Sequence, residues 1–190
     1  GTFCVSAAGN AAGSNTVSYV VVAGGGGTDR SNPGSIGGGG GGGFREGLGQ
    51  NDSYTGSPLR SPTGIPVTAT GFPITVGAGG TAGPISGPNC AATSGSNSIF
   101  SSITSAGGGK NATSGGSGGG GPTVPGPGQC ASQRGSGNTP PASPPQGNNG
   151  ALGLSTCGPG APYIYRGGGG GGATAAGTDA SPSAGGAGGA

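Results

Sequence analysis

Uninterrupted glycine runs are the feature that most restricts what this chain can fold into. Residues 37–43 are seven consecutive glycines, and residues 167–172 are six. Glycine loses more conformational entropy on folding than any other residue, and a run of it has no side chains to bury. No stretch of the chain has a 3.6-residue apolar period, and glycine interrupts every potential helix. We therefore expect essentially no α-helix and a fold built mainly from backbone.

The glycine runs allow two structural interpretations. An isolated glycine run behaves as a flexible linker. Runs packed side by side can instead adopt the polyproline-II conformation, which has three residues per turn and no internal hydrogen bonds, so that every N–H and C=O needs a partner on a neighbouring run. We predict the second arrangement, a polyglycine-II bundle in which Gly37–Gly43, Gly118–Gly121 and Gly167–Gly172 are adjacent and laterally hydrogen-bonded. Collagen is excluded because its repeat places glycine at every third position with other residues between, whereas residues 37–43 are an unbroken glycine run.

Residues that interrupt or flank the runs have expected positions in such a bundle. Small side chains such as Ser117, within Gly115–Gly118, are expected on outside faces. The proline pairs Pro140-Pro141 and Pro144-Pro145 are expected on an exposed flank or turn, where no N–H donor is needed.

Short β-like segments precede several glycine runs, because β-branched and aromatic residues favour strands. The predicted strand segments are Thr16–Ala23, Phe72–Val76, Ser98–Ala106 and Tyr163–Arg166. The predicted fold class is irregular and non-helical, a polyglycine-II bundle with a few short β-strands. Residues 1–23 are interpreted as an N-terminal β segment and 24–190 as a glycine-rich domain, together forming one compact unit within a longer chain.

The composition excludes most function classes. Of 190 residues, 55 are glycine and 28% are hydrophobic, and the net charge is only +2. Nucleic-acid binding needs a dense basic patch, which is missing here. No apolar stretch approaches the roughly 18 residues of a membrane span. Because Gly1 is not an initiator methionine and no signal peptide is visible, we expect a processed product or part of a longer polypeptide.

Enzyme signatures are also missing. The chain has no histidine, and general acid–base catalysis usually needs one or a tuned carboxylate pair. Glu46 and Asp52 lie in a polar, glycine-broken segment and are interpreted as solvated loop charges. The phosphate-binding pattern fails at Lys110, which is followed by asparagine instead of serine or threonine. We predict no catalysis, no cofactor and no metal site.

Four cysteines leave two alternatives open. In an oxidising compartment, Cys4, Cys90, Cys130 and Cys157 would form two disulfides, with three possible pairings. In a cytosol they would remain small buried thiols. Two glycosylation sequons, at Asn51 and Asn111, matter only if the chain passes through a glycosylating secretory route.

The segment from Phe44 to Gly64 contains the chain's most varied side chains. We interpret it as an exposed recognition loop on a rigid scaffold, since binding residues concentrate on such loops. Its candidate receptor-binding residues are Arg45, Asn51, Asp52, Tyr54 and Arg60, which offer positive charge, hydrogen bonds and an exposed ring. Docking onto a neighbouring subunit would use the same residue types. Tyr163, Tyr165 and Arg166 form a second candidate patch, although the two tyrosines are expected to pack in a small core.

Six segments occur in order along the chain. They are VSYVVVAGGGG (17–27), GGGGFREG (40–47), FPITVGAGG (72–80), NSIFSSITSAGGG (97–109), GNTPPASPPQGNNG (137–150) and GGGGGGATAAG (167–177). As an ordered set, from about Val17 to Gly177, these motifs resemble the glycine-rich domains of bacteriophage tail fibres and adhesins.

The resemblance implies a virion component at a tail fibre that contacts the host surface. Its expected partners are other fibre subunits, in a homo-oligomer such as a trimer, and a host cell-surface glycan or protein. It also implies polyglycine-II bundles with variable loops. The alternatives are an extracellular structural filament or cell-wall glycine-rich protein, and an ice-binding protein, which would need a more regular face of small residues.

Overall fold

The chain forms a non-helical, irregular fold with many short strands. The computed structural model describes residues 1–10, 14–29, 36–83, 92–123, 133–155 and 164–190. These ranges contain no helix, as predicted, and they therefore include none that could cross a membrane. The strands are β1 Thr2–Cys4, β2 Thr16–Val17, β3 Tyr19–Val22, β4 Phe44–Gly47, β5 Arg60–Ser61, β6 Ile65–Pro66, β7 Gly71–Thr75, β8 Ser98–Phe100, β9 Ile103–Ser105, β10 Leu154–Ser155 and β11 Tyr165–Arg166.

Each of the predicted strand segments contains at least one strand, although two of the segments are divided in two. The segment 16–23 is divided into β2 and β3 at Ser18, and 98–106 is a hairpin of β8 and β9. Ser101 lies at the hairpin turn with a φ of 54°. The last predicted strand is present as β11, while Tyr163 lies outside the described residues.

In the described part of the chain, the strands pair in four small sheets. The largest has the order β1-β7-β8-β9 with antiparallel neighbours. A three-stranded sheet has the order β3-β4-β5, in which β3 and β4 are antiparallel and β4 and β5 are parallel. Two-stranded sheets join β2 to β6 and β10 to β11. Strands from residues 1–23 therefore pair with strands from the glycine-rich part of the chain.

A small apolar core lies between the sheets. Tyr19 and Val21 of β3 pack with Ile65 and Val67, and all four side chains are buried. Partly buried side chains of the largest sheet, including Phe72, pack against this cluster. Because successive side chains of a strand point to opposite faces, Val20 and Val22 lie on the other face of β3, where they are 58% and 52% exposed.

Beyond this core, the glycine runs are held to one another by backbone hydrogen bonds that repeat every three residues. Gly38 and Gly41 donate to the carbonyls of Gly168 and Gly171, at 3.0 and 2.9 Å. Between them, Gly40 donates to another neighbour, Gly109, at 2.8 Å. Three residues after Gly40, Gly43 donates to Ala106 in the same neighbour, also at 2.8 Å. Donors that are three residues apart thus bond to the same neighbouring segment of the chain.

The run 167–172 has an unusually large number of hydrogen-bonded neighbours. It donates to residues 118–121 and 175–178, and it accepts from residues 38–41, 148–151 and 186–189. Each of these five connections consists of two bonds whose donors are three residues apart, as are their acceptors. A β-strand has hydrogen-bonded neighbours on two sides only, so the run is not part of a sheet.

Most positions in the runs have no room for a side chain. A β-carbon added at Gly40 would overlap the carbonyl oxygen of Ser117, and one at Gly169 would overlap that of Ala187. At Gly41 the nearest atom, the carbonyl oxygen of Gly171, would be 3.6 Å away, which is ordinary contact. Gly42 has a φ of +94°, in a region that side chains disfavour.

Ser117 corrects one expectation about the interruptions. It was expected on an outside face, but it is fully buried. Its Oγ donates to the carbonyl of Gly42 at 2.7 Å and lies 3.1 Å from that of Gly172. Serine fits the interior because its hydroxyl supplies a donor to carbonyls that face it. In the proline pairs, Pro140, Pro141 and Pro145 are exposed and Pro144 is half-buried, as expected for a flank.

Candidate functional site

The segment expected to be a recognition loop begins as a strand. Phe44–Gly47 is β4, and it pairs along its whole length with β3. Arg45 is half-buried, and it lies opposite Val21. The expectation of a loop across residues 44–47 is therefore wrong, because β4 directly follows the glycine run and extends its pairing into the sheet. The longest exposed stretch of the segment is residues 50–55.

Glu46 is the main departure from the sequence analysis, which interpreted it as a solvated loop charge. Its side chain is buried, with 5% exposure. The backbone N–H of Ser57 donates to Glu46 Oε2 at 2.9 Å, because the chain after β4 folds back over the carboxylate. The pKa of Glu46 lies below its ordinary value, and the largest cause is a hydrogen bond from the Ser57 side chain. The Ser57 N–H, the Tyr54 side chain and the positive charge of Arg60 also lower this pKa, whereas burial of the carboxylate raises it.

Asp52 anchors the other end of the loop. Ser18 Oγ donates to Asp52 Oδ2, and Ser18 Oγ itself accepts from the N–H of Gly49 at 2.7 Å. The N–H of Asp52 donates to the carbonyl of Gly49 at 3.2 Å. Nearby, the N–H of Gln50 donates to Thr16 Oγ1 at 2.9 Å. The Asp52 carboxylate is therefore engaged within the chain, where it holds the loop against the residues between β2 and β3.

Four of the predicted residues are exposed in this segment, and one of them is Asp52, whose carboxylate accepts from Ser18. Asn51 and Arg60 are exposed, and Tyr54 is 43% exposed, as expected for that ring. Arg60 begins β5 and lies opposite Glu46 in the register between β4 and β5. The fold thus places a phenol ring and a guanidinium beside one buried carboxylate.

The second predicted patch is only partly described. Tyr165 and Arg166 form β11, and both are half-buried, whereas Tyr163 lies outside the described residues. The Arg166 Nε atom is buried without a hydrogen-bond partner among the described atoms. This half-burial favours a packing role for Tyr165.

Cysteines and sequons divide between described and undescribed residues. Cys4 is exposed and its thiol is free, while Cys90, Cys130 and Cys157 lie outside the described residues. Asn51 is exposed, but Asn111 is only 8% exposed, so the second sequon is inaccessible in the folded chain.

An apolar groove is the other feature that the sequence analysis missed. Its volume is about 410 Å³, and it lies between β3 and the adjacent ends of β7 and β8. Four of its lining side chains are exposed large apolar residues: Phe3, Val20, Val22 and Val76. The uniformly apolar stretch Tyr19–Val22 contains the signal, because successive side chains of a strand point to opposite faces, and apolar side chains on the face away from the core remain exposed unless something covers them. In the described ranges, no group of three His, Cys, Asp or Glu side chains is arranged to hold a metal ion.

Comparison with known proteins identifies the family. The profile of the glycine-rich domain family matches residues 1–190, so the chain belongs to that family. No curated protein and no solved structure gives a match.

Proposed function

We propose that the glycine runs adopt the polyglycine-II conformation and form a stiff bundle. The main support is that the hydrogen bonds between runs repeat every three residues, because a helix with three residues per turn directs every third donor to the same neighbour. The five hydrogen-bonded neighbours of the run 167–172 support the proposal. Backbone dihedrals from a crystal structure or from NMR couplings test it, with φ near −75° and ψ near +145° expected. Irregular dihedrals in residues 37–43, 118–121 and 167–172 would contradict it.

We further propose that this bundle is a structural and adhesive domain of a bacteriophage tail fibre, without catalytic activity. The glycine runs offer a ligand only backbone groups, and most of these are paired within the bundle. Recognition therefore depends on exposed side chains, and the loop over Glu46 has the most varied set. Its anchoring at both ends, by Ser18 to Asp52 and by Ser57 to Glu46, supports a preorganised surface, which reduces the entropy lost on binding.

The proposed partners follow from these side chains. Arg60 can pair with anionic sugar or phosphate groups, Asn51 can hydrogen-bond to hydroxyls, and the Tyr54 ring can stack. A host cell-surface glycan or protein is the proposed ligand, and other fibre subunits are the proposed assembly partners. The proposed location is the virion.

Alanine substitution of Arg45, Tyr54 and Arg60 together tests the recognition role. We expect the variant fibre to assemble normally and to lose host adsorption. Thr68→Ala with Thr70→Ala is the control, because both residues are exposed and lie outside the loop. A failure of assembly would instead assign the loop to subunit docking. Unchanged assembly and adsorption would exclude the loop and leave Tyr165 and Arg166 as the next candidates.

A further inference from the structure

We propose that β3, Tyr19–Val22, pairs edge to edge with β3 of a second copy of this chain. β3 is an outer strand of its sheet, and β4 is its hydrogen-bonded neighbour. The other side of β3 faces the apolar groove, which is lined by the continuous stretch from Val17 to Val22.

The register of β3 and β4 shows which backbone groups of β3 are free. The N–H of Ala23 donates to the carbonyl of Gly43 at 3.0 Å. Because alternate residues of an antiparallel pair bond to the partner strand, Tyr19 and Val21 bond to β4. The N–H and C=O groups of Val20 and Val22 point to the open side. Across the described ranges, none of these four groups has a hydrogen-bond partner.

The side chains beside this edge are apolar and exposed. Val20 is 58% exposed and Val22 is 52% exposed, while Val76 on the opposite wall of the groove is 84% exposed. An unpaired strand edge combined with an apolar surface is a template for another strand, and natural proteins usually protect such edges with charge, proline or a bulge. Tyr19–Val22 contains no charged residue and no proline. The sequence therefore offers no protection against pairing.

A second copy is the occupant that fits this edge best. Among the described residues, no charged side chain lines the groove, so two copies with the same net charge of +2 can approach here without close like-charge contacts. The free groups are also self-complementary. In an antiparallel pair about a two-fold axis at Val21, Val20 of each copy exchanges two hydrogen bonds with Val22 of the other. The two three-stranded sheets then become one continuous sheet.

This inference rests on the proposed function in one respect, which is that the β3 pair would be one of the contacts between fibre subunits. The experiment measures association of the purified chain without host cells, so the failure of either proposal can be recognised separately. Sedimentation velocity over a dilution series is the measurement, and circular dichroism and thermal melts verify folding. The wild type is expected to be a dimer that dissociates on dilution. Hydrogen exchange at the Val20 and Val22 amides should be slower in the dimer.

Two charge variants at the same positions test the register. V20K/V22K places lysines directly opposite each other across the two-fold axis, and it should raise the dimer dissociation constant at least about tenfold, because opposed like charges destabilise strand pairs. V20K/V22E places lysine opposite glutamate, and it should dimerise more strongly than V20K/V22K. Val22→Pro removes one outward N–H without affecting the bonds to β4, since proline is tolerated on strand edges. It should also weaken the dimer.

Three outcomes of these experiments would contradict the proposal or its register. A wild type that remains monomeric at every soluble concentration would overturn the proposal. Dimers of V20K/V22K or Val22→Pro as strong as the wild type would show that copies associate through another surface. Equal weakening in V20K/V22K and V20K/V22E would contradict the antiparallel register.

Discussion

The backbone N–H of Ser57 donates to the buried Oε2 of Glu46 across 2.9 Å, although the two residues are 11 positions apart. This bond joins the chain before β5 to β4, and it fixes where the exposed loop returns to the sheet. A carboxylate that accepts several hydrogen bonds strongly favours its charged form. Loop geometry and the ionisation of Glu46 are therefore coupled.

Glu46→Gln should lower the free energy of unfolding by about 1–2 kcal/mol at pH 7, because it replaces charge-assisted hydrogen bonds with neutral ones. The pKa of Glu46 is lowered in the folded chain. Its stabilising contribution is therefore complete above the unfolded pKa of about 4.3 and disappears as the pH falls through the lower folded value.

Urea unfolding of the wild type and the Glu46→Gln variant at pH 7 and near pH 3 measures this difference. The gap in stability should shrink at the lower pH. Ser57→Ala is the matched variant, since it keeps the backbone N–H bond and removes the hydroxyl, and it should cause a smaller loss. An equal gap at both pH values would mean that the charge of Glu46 is unimportant.

Gly40→Ala and Gly41→Ala, which are adjacent in one run, should differ in their effect on stability. The added β-carbon at Gly40 meets the carbonyl of Ser117, and overpacking of this kind costs roughly 1–3 kcal/mol. At Gly41 the nearest atom is 3.6 Å away, so the substitution should be neutral or stabilise by up to about 1 kcal/mol through the unfolded chain. Thermal melts compare them, and Gly40→Val should be worse still. Equal melting temperatures for both alanine variants would argue against a tight bundle.

Ser18 and Asp52 should be energetically coupled. Ser18→Ala and Asp52→Ala each remove the bond that holds the loop to the β2–β3 junction. The double variant should lose less stability than the sum, with a coupling of about 1 kcal/mol. A double-mutant cycle in urea measures this coupling. Strict additivity would show that the contact contributes nothing, and Asp52 would then be available for the ligand role expected from the sequence.

Gln146 should stabilise the flank that contains the proline pairs. Its side chain is 2% exposed; Oε1 accepts from the N–H of Ala106 at 2.8 Å, and Nε2 donates to the carbonyl of Pro140 at 2.7 Å. Gln146→Leu leaves the N–H of the buried Ala106 unpaired, and a buried unpaired group costs about 1–3 kcal/mol. Gln50→Leu, at an exposed position, is the control and should have little effect on the melting temperature. Similar melts for the two variants would contradict the role of Gln146.

The sequence predicted the non-helical, irregular fold and the positions of several strands, because glycine excludes helix and β-branched residues mark strands such as β3 and β7. The burial of Glu46 and Ser117 was not predictable. Both are polar residues whose burial depends on partners that are distant in sequence, such as Gly42 for Ser117. Tyr54 was correctly expected to be exposed. The engagement of Asp52 by Ser18 was missed because local composition does not reveal a contact across 34 residues.

The hydrogen-bond spacing also limits how the length of a run can change. Gly38 and Gly41 select one neighbour while Gly40 and Gly43 select another, so one inserted glycine would redirect every later donor toward the wrong segment. Three inserted glycines would restore the original assignment three residues later. Insertions and deletions within a run should therefore be tolerated in units of three, whereas the exposed residues 53–55, between the anchoring residues Asp52 and Ser57, have no such three-residue constraint.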